Sequence, residues 1–170
     1  AALRDLGSGL GALGRYAEAI ECFDRAMALV KRHGGAFSLA NVLGRLVILA
    51  LRHGDHSTAR SAVDEAVKAL SSEDLYGTAW LLYLEARITV AEGRPEEALR
   101  LAARAGSGFM RLGDQRGQNV AKIAEGEALI ALGRRDDAAS LLDEAAAALA
   151  DLGADLMAEQ ARQLRSRAKE

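Results

Sequence analysis

Helical segments separated by short turns account for the hydrophobic pattern, and no run of alternating apolar and polar residues predicts a strand. The single proline leaves long stretches free of helix breakers. The pattern predicts paired helices at 2–13 with 16–33, 37–53 with 56–71, 75–92 with 95–111, and 115–132 with 135–151. A last helix at 154–168 is predicted to cap the stack.

A repeat underlies these pairs. Each pair has a glycine at its central turn, and the spacings between successive glycines are 54−14 = 40, 93−54 = 39 and 133−93 = 40. Each glycine is followed five residues later by an alanine, and a second alanine comes seven residues after the first. These alanines are Ala19 and Ala26, Ala59 and Ala66, Ala98 and Ala105, and Ala138 and Ala145. Since small residues let two antiparallel helices approach closely, the sequence predicts tight pairs.

The repeated positions also have a local interpretation. Glycine at a helix C-terminus adopts the left-handed conformation that a tight turn needs. Pro95 falls at the first position of a helix, where its missing N–H costs little. In contrast, Gly9 and Gly11 lie inside the first predicted helix, and each costs about 1 kcal/mol relative to alanine. We therefore expect the first helix to be the weakest.

The first unit resembles the tetratricopeptide repeat family. The residues that carry the resemblance are Leu6, Gly7, Leu10, Gly14, Tyr16, Ala19, Phe23 and Ala26. The resemblance implies an all-α fold, a right-handed α-solenoid of four helix–turn–helix repeats plus a C-terminal capping helix. It also implies a single domain over 1–170, with units at about 1–34, 35–74, 75–113 and 114–153 and a cap at 154–170.

The 39–40 residue period is longer than the usual period of about 34. It resembles the longer variant found in C-terminal regions of large bacterial regulators. This similarity implies a regulatory module of a bacterial, cytoplasmic protein with a role in transcription regulation. The pattern is already in register near residue 3 and the chain starts with Ala1, so we expect a piece of a longer protein.

The resemblance further implies that the first helix of each pair lines a concave binding groove. Transferring the family's groove positions gives Arg4, Asp5 and Ser8 in the first unit, and Ile48 among those of the second. The partner-binding residues predicted most directly are Asn41, Arg45, Arg52, Trp80, Tyr83, Arg87 and Glu127. Aromatic and arginine side chains often dominate binding energy. For Trp80, packing between repeats as ordinary core is the alternative.

The predicted function is protein–protein interaction, with a peptide or helix docked in the groove. Two alternatives remain open: a ligand-sensing domain of a transcriptional regulator that binds a small molecule, and a homodimer formed through the repeat ends. The net charge of −2 and pI of about 6.0 argue against direct nucleic-acid binding. No apolar run predicts a membrane span.

No catalytic constellation stands out in the sequence, so we expect no enzyme activity and no cofactor. Cys22 is the only cysteine, which excludes a cysteine-based metal cluster. His53, Asp55 and His56 cluster at one turn with residue types that suit zinc or nickel. An ordinary polar surface is the preferred interpretation of this cluster, and we expect no metal.

Overall fold

The computed structural model describes residues 2–33, 36–69 and 74–169. Within these ranges it contains helices and no strands, which confirms the all-α class. The helices are α1 (Ala2–Ala12), α2 (Tyr16–His33), α3 (Ala36–Arg52), α4 (His56–Ala69), α5 (Leu75–Ala91), α6 (Pro95–Arg111), α7 (Gln115–Ala131), α8 (Arg135–Asp151) and α9 (Asp155–Ala168). The predicted helical pairs are confirmed. The predicted Gly34–Gly35 turn and the predicted end of the fourth helix at residue 71 lie outside the described residues.

The chain divides into two compact units, Ala1–Gly77 and Thr78–Glu170. In the first unit α1 packs against α2 and α3, and α3 packs against α2 and α4. In the second unit α7 packs against α6 and α8, and α9 packs against α8 and α7. Each unit is therefore built from antiparallel neighbours, and the single domain over 1–170 stays a prediction.

The turns follow one design. The turn glycines have φ between +67° and +78°, in the left-handed region that L side chains rarely adopt. They are Gly14, Gly54, Gly93, Gly113, Gly133 and Gly153. The N–H of the residue after each glycine donates to the carbonyl five residues before it, as Arg134 does to Leu129 at 2.9 Å. The carbonyl of that residue then begins the next helix, as Arg134 accepts from Ala138 at 3.1 Å. One glycine conformation thus ends one helix and starts another.

The core consists of the repeated alanines and the larger residue between them. All eight of these alanines are at most 6% exposed. Phe23 and Leu142 fill the gap in the first and fourth pairs, and both are 0% exposed. The prediction of tight helical pairs is confirmed, since alanine side chains let the helix backbones approach each other.

Glycines inside the helices are close-contact positions. A Cβ built on Gly126 would lie 2.7 Å from Leu142 Cδ2, and one on Gly11 would overlap Leu49 Cδ1. The sequence suggested Gly11 only as a weak point of the first helix. The structure shows that Gly11 is buried because the side chain of Leu49 occupies the space beside it.

Candidate interaction surfaces

The first unit brings its predicted groove residues together on one polar face. Arg4 Nη1 donates to Asn41 Oδ1 at 3.1 Å, and Arg45 Nη1 donates to Ser8 Oγ at 3.3 Å. Arg4 also pairs with the neighbouring Asp5 at 2.8 Å. These contacts join α1 to α3, so the first helices of the two pairs present a shared surface. We call it the α1–α3 face, composed of Arg4, Ser8, Asn41, Arg45, Ile48 and Arg52.

The α3 side of this face is cationic. Asn41, Arg45, Ile48 and Arg52 follow one another at spacings of four, three and four residues, which places them on one side of a helix. Asn41, Arg45 and Arg52 are exposed, and Ile48 is half-buried. The sequence of α3 contains no acidic residue. In the described part of the chain no carboxylate pairs with Arg45 or Arg52, so both guanidinium groups face solvent.

The second unit uses its predicted groove residues differently. Arg87 and Glu127 form a bidentate ion pair, with Nε to Oε2 and Nη2 to Oε1 both at 2.9 Å. Arg87 Nη1 also donates to Tyr83 Oη at 3.3 Å. Tyr83 is 2% exposed and Arg87 is 7% exposed. We call this group the buried Arg87 network. Its burial weighs against direct partner contacts by Tyr83 and Arg87, which stay a prediction.

The electrostatics of the buried Arg87 network follow from its geometry. Burial disfavours the charged guanidinium, but the carboxylate of Glu127 and the hydroxyl of Tyr83 outweigh burial and raise the pKa of Arg87. For Tyr83 burial acts in the other direction: it disfavours the charged phenolate and so raises the pKa of the hydroxyl. The arginine therefore stays charged and the tyrosine stays neutral, and the ion pair ties α5 to α7.

Trp80 lies in an aromatic cluster of the second unit. Its ring meets Tyr83 edge-to-face at a centroid distance of 5.4 Å, and it meets Phe109 in the same manner at 5.5 Å. The side chain is half-buried. Such pairs contribute about 0.5–1.5 kcal/mol beyond the area they bury. The contacts favour the core-packing alternative for Trp80 that the sequence left open.

A junction in the first unit was not predicted from the sequence. Tyr16 Oη donates to Asp55 Oδ2 at 2.8 Å, and the ring of Tyr16 stacks on His53 at 4.4 Å between centroids. Burial and the hydrogen bond to Asp55 raise the pKa of Tyr16 to about 12. The backbone N–H and the hydroxyl of Thr58, together with Tyr16, hold the pKa of Asp55 well below its usual value. The sequence signal that could have predicted this junction is a tyrosine at the start of α2 and an aspartate at the next central turn, 39 residues later.

The same junction bears on the metal hypothesis. Among the described residues no group of three histidine, cysteine or carboxylate side chains is arranged to hold a metal ion. Asp55 accepts hydrogen bonds from Ser57, Thr58 and Tyr16, and His53 Nδ1 lies 3.0 Å from the carbonyl of Leu49. The turn therefore works as a structural joint between the first two pairs.

An open depression of about 650 Å³ runs along α4. Its lining is polar and consists of Ser57, Arg60, Ser61, Asp64, Glu65 and Lys68. The small-molecule alternative predicts an enclosed apolar pocket, and this depression is open and lined by polar and charged residues. In the part of the chain that the structure describes, no helix combines the length and the apolar character needed to span a membrane.

Comparison with known families agrees with the helical pairs of the first unit. The family model for the tetratricopeptide repeat matches residues 1–72. No curated protein matches the chain. Repeats of this family are non-enzymatic scaffolds that mediate protein–protein interaction. The match to residues 1–72 supports the resemblance to this family that the residue pattern around Gly14 and Tyr16 predicted.

Proposed function

We propose that the chain is a protein-interaction module whose α1–α3 face binds an acidic peptide segment of a partner protein. The observation that carries this proposal is the pair Arg45 and Arg52, two exposed guanidinium groups on a helix that contains no acidic residue. Within the described residues neither arginine has a carboxylate partner. An exposed cation without an internal carboxylate is available to a partner's carboxylate, and the hydrogen bond of Arg45 to Ser8 Oγ leaves its charge unneutralised.

The geometry suits an acidic peptide with two well-separated carboxylates. Arg45 and Arg52 lie seven residues apart, about 10 Å along the helix axis. Guanidinium–carboxylate hydrogen bonds are charge-assisted and often bidentate, so each arginine recognises a carboxylate with defined geometry. Ile48 lies between the arginines and offers an apolar contact, and Asn41 offers an amide to a peptide backbone.

The charged residues of the second unit hold its helices together rather than face a partner. Because Arg87 and Glu127 neutralise each other, they hold neighbouring helices in register and leave little charge for a partner. We therefore place the main contact surface in the first unit rather than around Tyr83. The wider setting, a long-period repeat module of a bacterial cytoplasmic regulator of transcription, is part of the same proposal and rests on the resemblance of the period alone.

The test is an NMR titration of the 170-residue chain with a 12-residue peptide that contains two glutamates seven residues apart, and with its Glu→Gln counterpart. We expect amide shifts to cluster on α1 and α3 with the glutamate peptide only. Arg45→Gln/Arg52→Gln is expected to weaken binding at least tenfold, because hydrogen bonds to charged groups contribute about 1.5–3 kcal/mol each.

The matched control is Arg25→Gln/Arg32→Gln. Arg25 and Arg32 are also exposed and seven residues apart, but they lie on α2. This variant removes the same net charge and is expected to bind the peptide within about twofold of the unmodified chain. Equal losses in both double variants would show a non-specific charge effect and would contradict the proposed face.

A further inference from the structure

Helix α8 carries a row of acidic side chains on one exposed side. The row consists of residues at spacings of three, four, three and four: Asp137, Ser140, Glu144, Ala147 and Asp151. These spacings place all five on one side of the helix, and all five are exposed. The three carboxylates lie seven residues apart, and the residues between them are small. We call these five residues the α8 stripe.

The α8 stripe has the same spacing as the cationic side of α3. The α1–α3 face includes four residues of α3 at spacings of four, three and four: Asn41, Arg45, Ile48 and Arg52. The last four residues of the α8 stripe follow one another at these same spacings. Both helices rise about 1.5 Å per residue. A helix with the α8 stripe, laid alongside α3 in the same direction, therefore brings one carboxylate to each arginine and the small Ala147 to Ile48.

Charge distinguishes these two helices from the rest. Helix α3 contains Arg45 and Arg52 and no acidic residue. Helix α8 contains five acidic residues and a single basic one, Arg135. The other helices that the structure describes each contain charges of both signs. The chain therefore carries, on its own α8, an acidic segment of the kind that suits the α1–α3 face.

The carboxylates of the α8 stripe can change partners at little cost. Glu144 pairs with Lys122 of α7 at 3.3 Å, and the side chain of Glu144 is 64% exposed. Such surface pairs are weak and are screened by salt. Among the described residues no cation pairs with Asp151. A guanidinium binds a carboxylate through two parallel hydrogen bonds, so an arginine of another molecule can replace Lys122 at Glu144.

We propose that the α8 stripe of a second copy of this chain occupies the α1–α3 face, with Glu144 on Arg45 and Asp151 on Arg52. This inference rests on the proposed function, because it names the acidic segment that the face binds. The contact joins two different surfaces, so each copy can present one stripe and receive another, and the copies associate head to tail. A single helix face buries little area, so the association is weak, concentration-dependent and sensitive to salt.

The experiment combines two variants that each lack one side of the contact. Arg45→Gln/Arg52→Gln keeps the α8 stripe and loses the receiving cations, whereas Glu144→Gln/Asp151→Asn keeps the cations and loses two carboxylates of the stripe. Association is measured by sedimentation at concentrations up to about 1 mM. The unmodified chain is expected to associate as its concentration rises, and each variant alone is expected to associate at least tenfold more weakly.

A mixture of the two variants gives the sharper result. It contains one intact cationic face and one intact α8 stripe, on different molecules, so an equimolar mixture is expected to form a 1:1 complex and nothing larger. The matched control is Asp136→Asn/Asp143→Asn. Asp136 and Asp143 are also exposed, seven residues apart and on α8, but they lie outside the α8 stripe. This control removes the same charge and is expected to associate within about twofold of the unmodified chain.

The outcomes separate this inference from the proposed function. If the glutamate peptide binds the α1–α3 face while the unmodified chain stays monomeric, the inference is overturned and the proposed function stands, with a different protein as the partner. If the chain associates but the two variants do not combine, the inference is overturned because association uses another surface. It is also overturned if Asp136→Asn/Asp143→Asn weakens association as much as Glu144→Gln/Asp151→Asn, since the effect would then be one of net charge.

Discussion

Removing Glu127 leaves a buried guanidinium without its counter-charge. In Glu127→Ala, Arg87 keeps only the hydrogen bond of its Nη1 to Tyr83 Oη at 3.3 Å and loses two bonds of 2.9 Å. Arginine does not deprotonate in proteins, so the charge stays in place and must be hydrated by local opening. The buried Arg87 network is therefore expected to lose stability well beyond the value of an ordinary surface pair.

The magnitude follows from the exposure of the two side chains. Breaking a buried ion pair by removing one partner costs about 3–5 kcal/mol. The side chain of Glu127 is 16% exposed and that of Arg87 is 7% exposed, so water reaches the carboxylate side of the pair. We expect a loss near the lower end, about 3 kcal/mol, in the free energy of unfolding of the second unit. With a urea dependence of about 1–3 kcal/mol/M, the midpoint falls by roughly 1–3 M.

Replacing both partners tests the origin of this loss. Arg87→Met/Glu127→Leu removes both charges and keeps apolar volume, so its stability is expected to lie within about 1 kcal/mol of the unmodified chain. The assay is urea denaturation followed by the fluorescence of Trp80, the only tryptophan, whose ring contacts Tyr83. A fluorescence transition reports the second unit without interference from the first.

The surface control is Arg94→Gln, because Arg94 is exposed and pairs with Glu92 and Glu97. Surface pairs contribute about 0–1 kcal/mol, so this variant is expected to change the midpoint little. The reasoning is refuted if Glu127→Ala costs no more than Arg94→Gln. It is also refuted if Arg87→Met/Glu127→Leu is as unstable as Glu127→Ala, since the loss would then come from packing and not from the orphaned charge.

Two further predictions concern a close contact and a tyrosine. Gly126→Ala is expected to lower the free energy of unfolding by about 1–3 kcal/mol, because the added Cβ would lie 2.7 Å from Leu142. Gly9→Ala is expected to raise it by about 0.5–1 kcal/mol, because the added Cβ meets nothing within 4 Å. Equal effects of the two variants in thermal unfolding would contradict the close contact at Gly126. For Tyr16 the folded pKa of about 12 exceeds the ordinary value of 10, so the neutral form adds stability that is present below pH 10 and lost between pH 10 and 12. A difference titration of absorbance between the unmodified chain and Tyr16→Phe is expected to show one group titrating near 12, and a difference midpoint near 10 would contradict the Asp55 hydrogen bond.

Turns and pairing could be predicted from the sequence because both depend on local features. A glycine at a helix end predicts a left-handed turn, and an alanine five residues later predicts a close helix contact. Gly133 and Ala138 adopt these roles, and neither role depends on residues far away in the sequence. The α1–α3 face was also predictable, because repeat positions transferred from one pair to the next. Helix boundaries agreed for the same reason.

The burial of the residues that the sequence assigned to the groove of the second unit could not be predicted in this way. Ser8, Ile48, Arg87 and Glu127 lie at the same position of four successive repeats, six residues before the turn glycine. Whether a charge at this position faces a partner or a neighbouring repeat depends on the residue 40 positions away. Arg87 finds Glu127 there, and the sequence of one repeat alone contains no trace of that pairing.

This repeat equivalence gives a test of whether burial, rather than position, makes the Arg87–Glu127 pair matter. Ser8→Arg and Ile48→Glu install the same two residues at the corresponding positions of the first unit, where Ser8 and Ile48 are only half-buried. Water screens such a pair, so a double-mutant cycle in urea is expected to give a coupling energy below about 1 kcal/mol. The cycle for Arg87 and Glu127 is expected to give at least twice that value. If the two coupling energies were equal, the position in the repeat would set the strength of the pair, and the difference in exposure between the two units would be irrelevant to it.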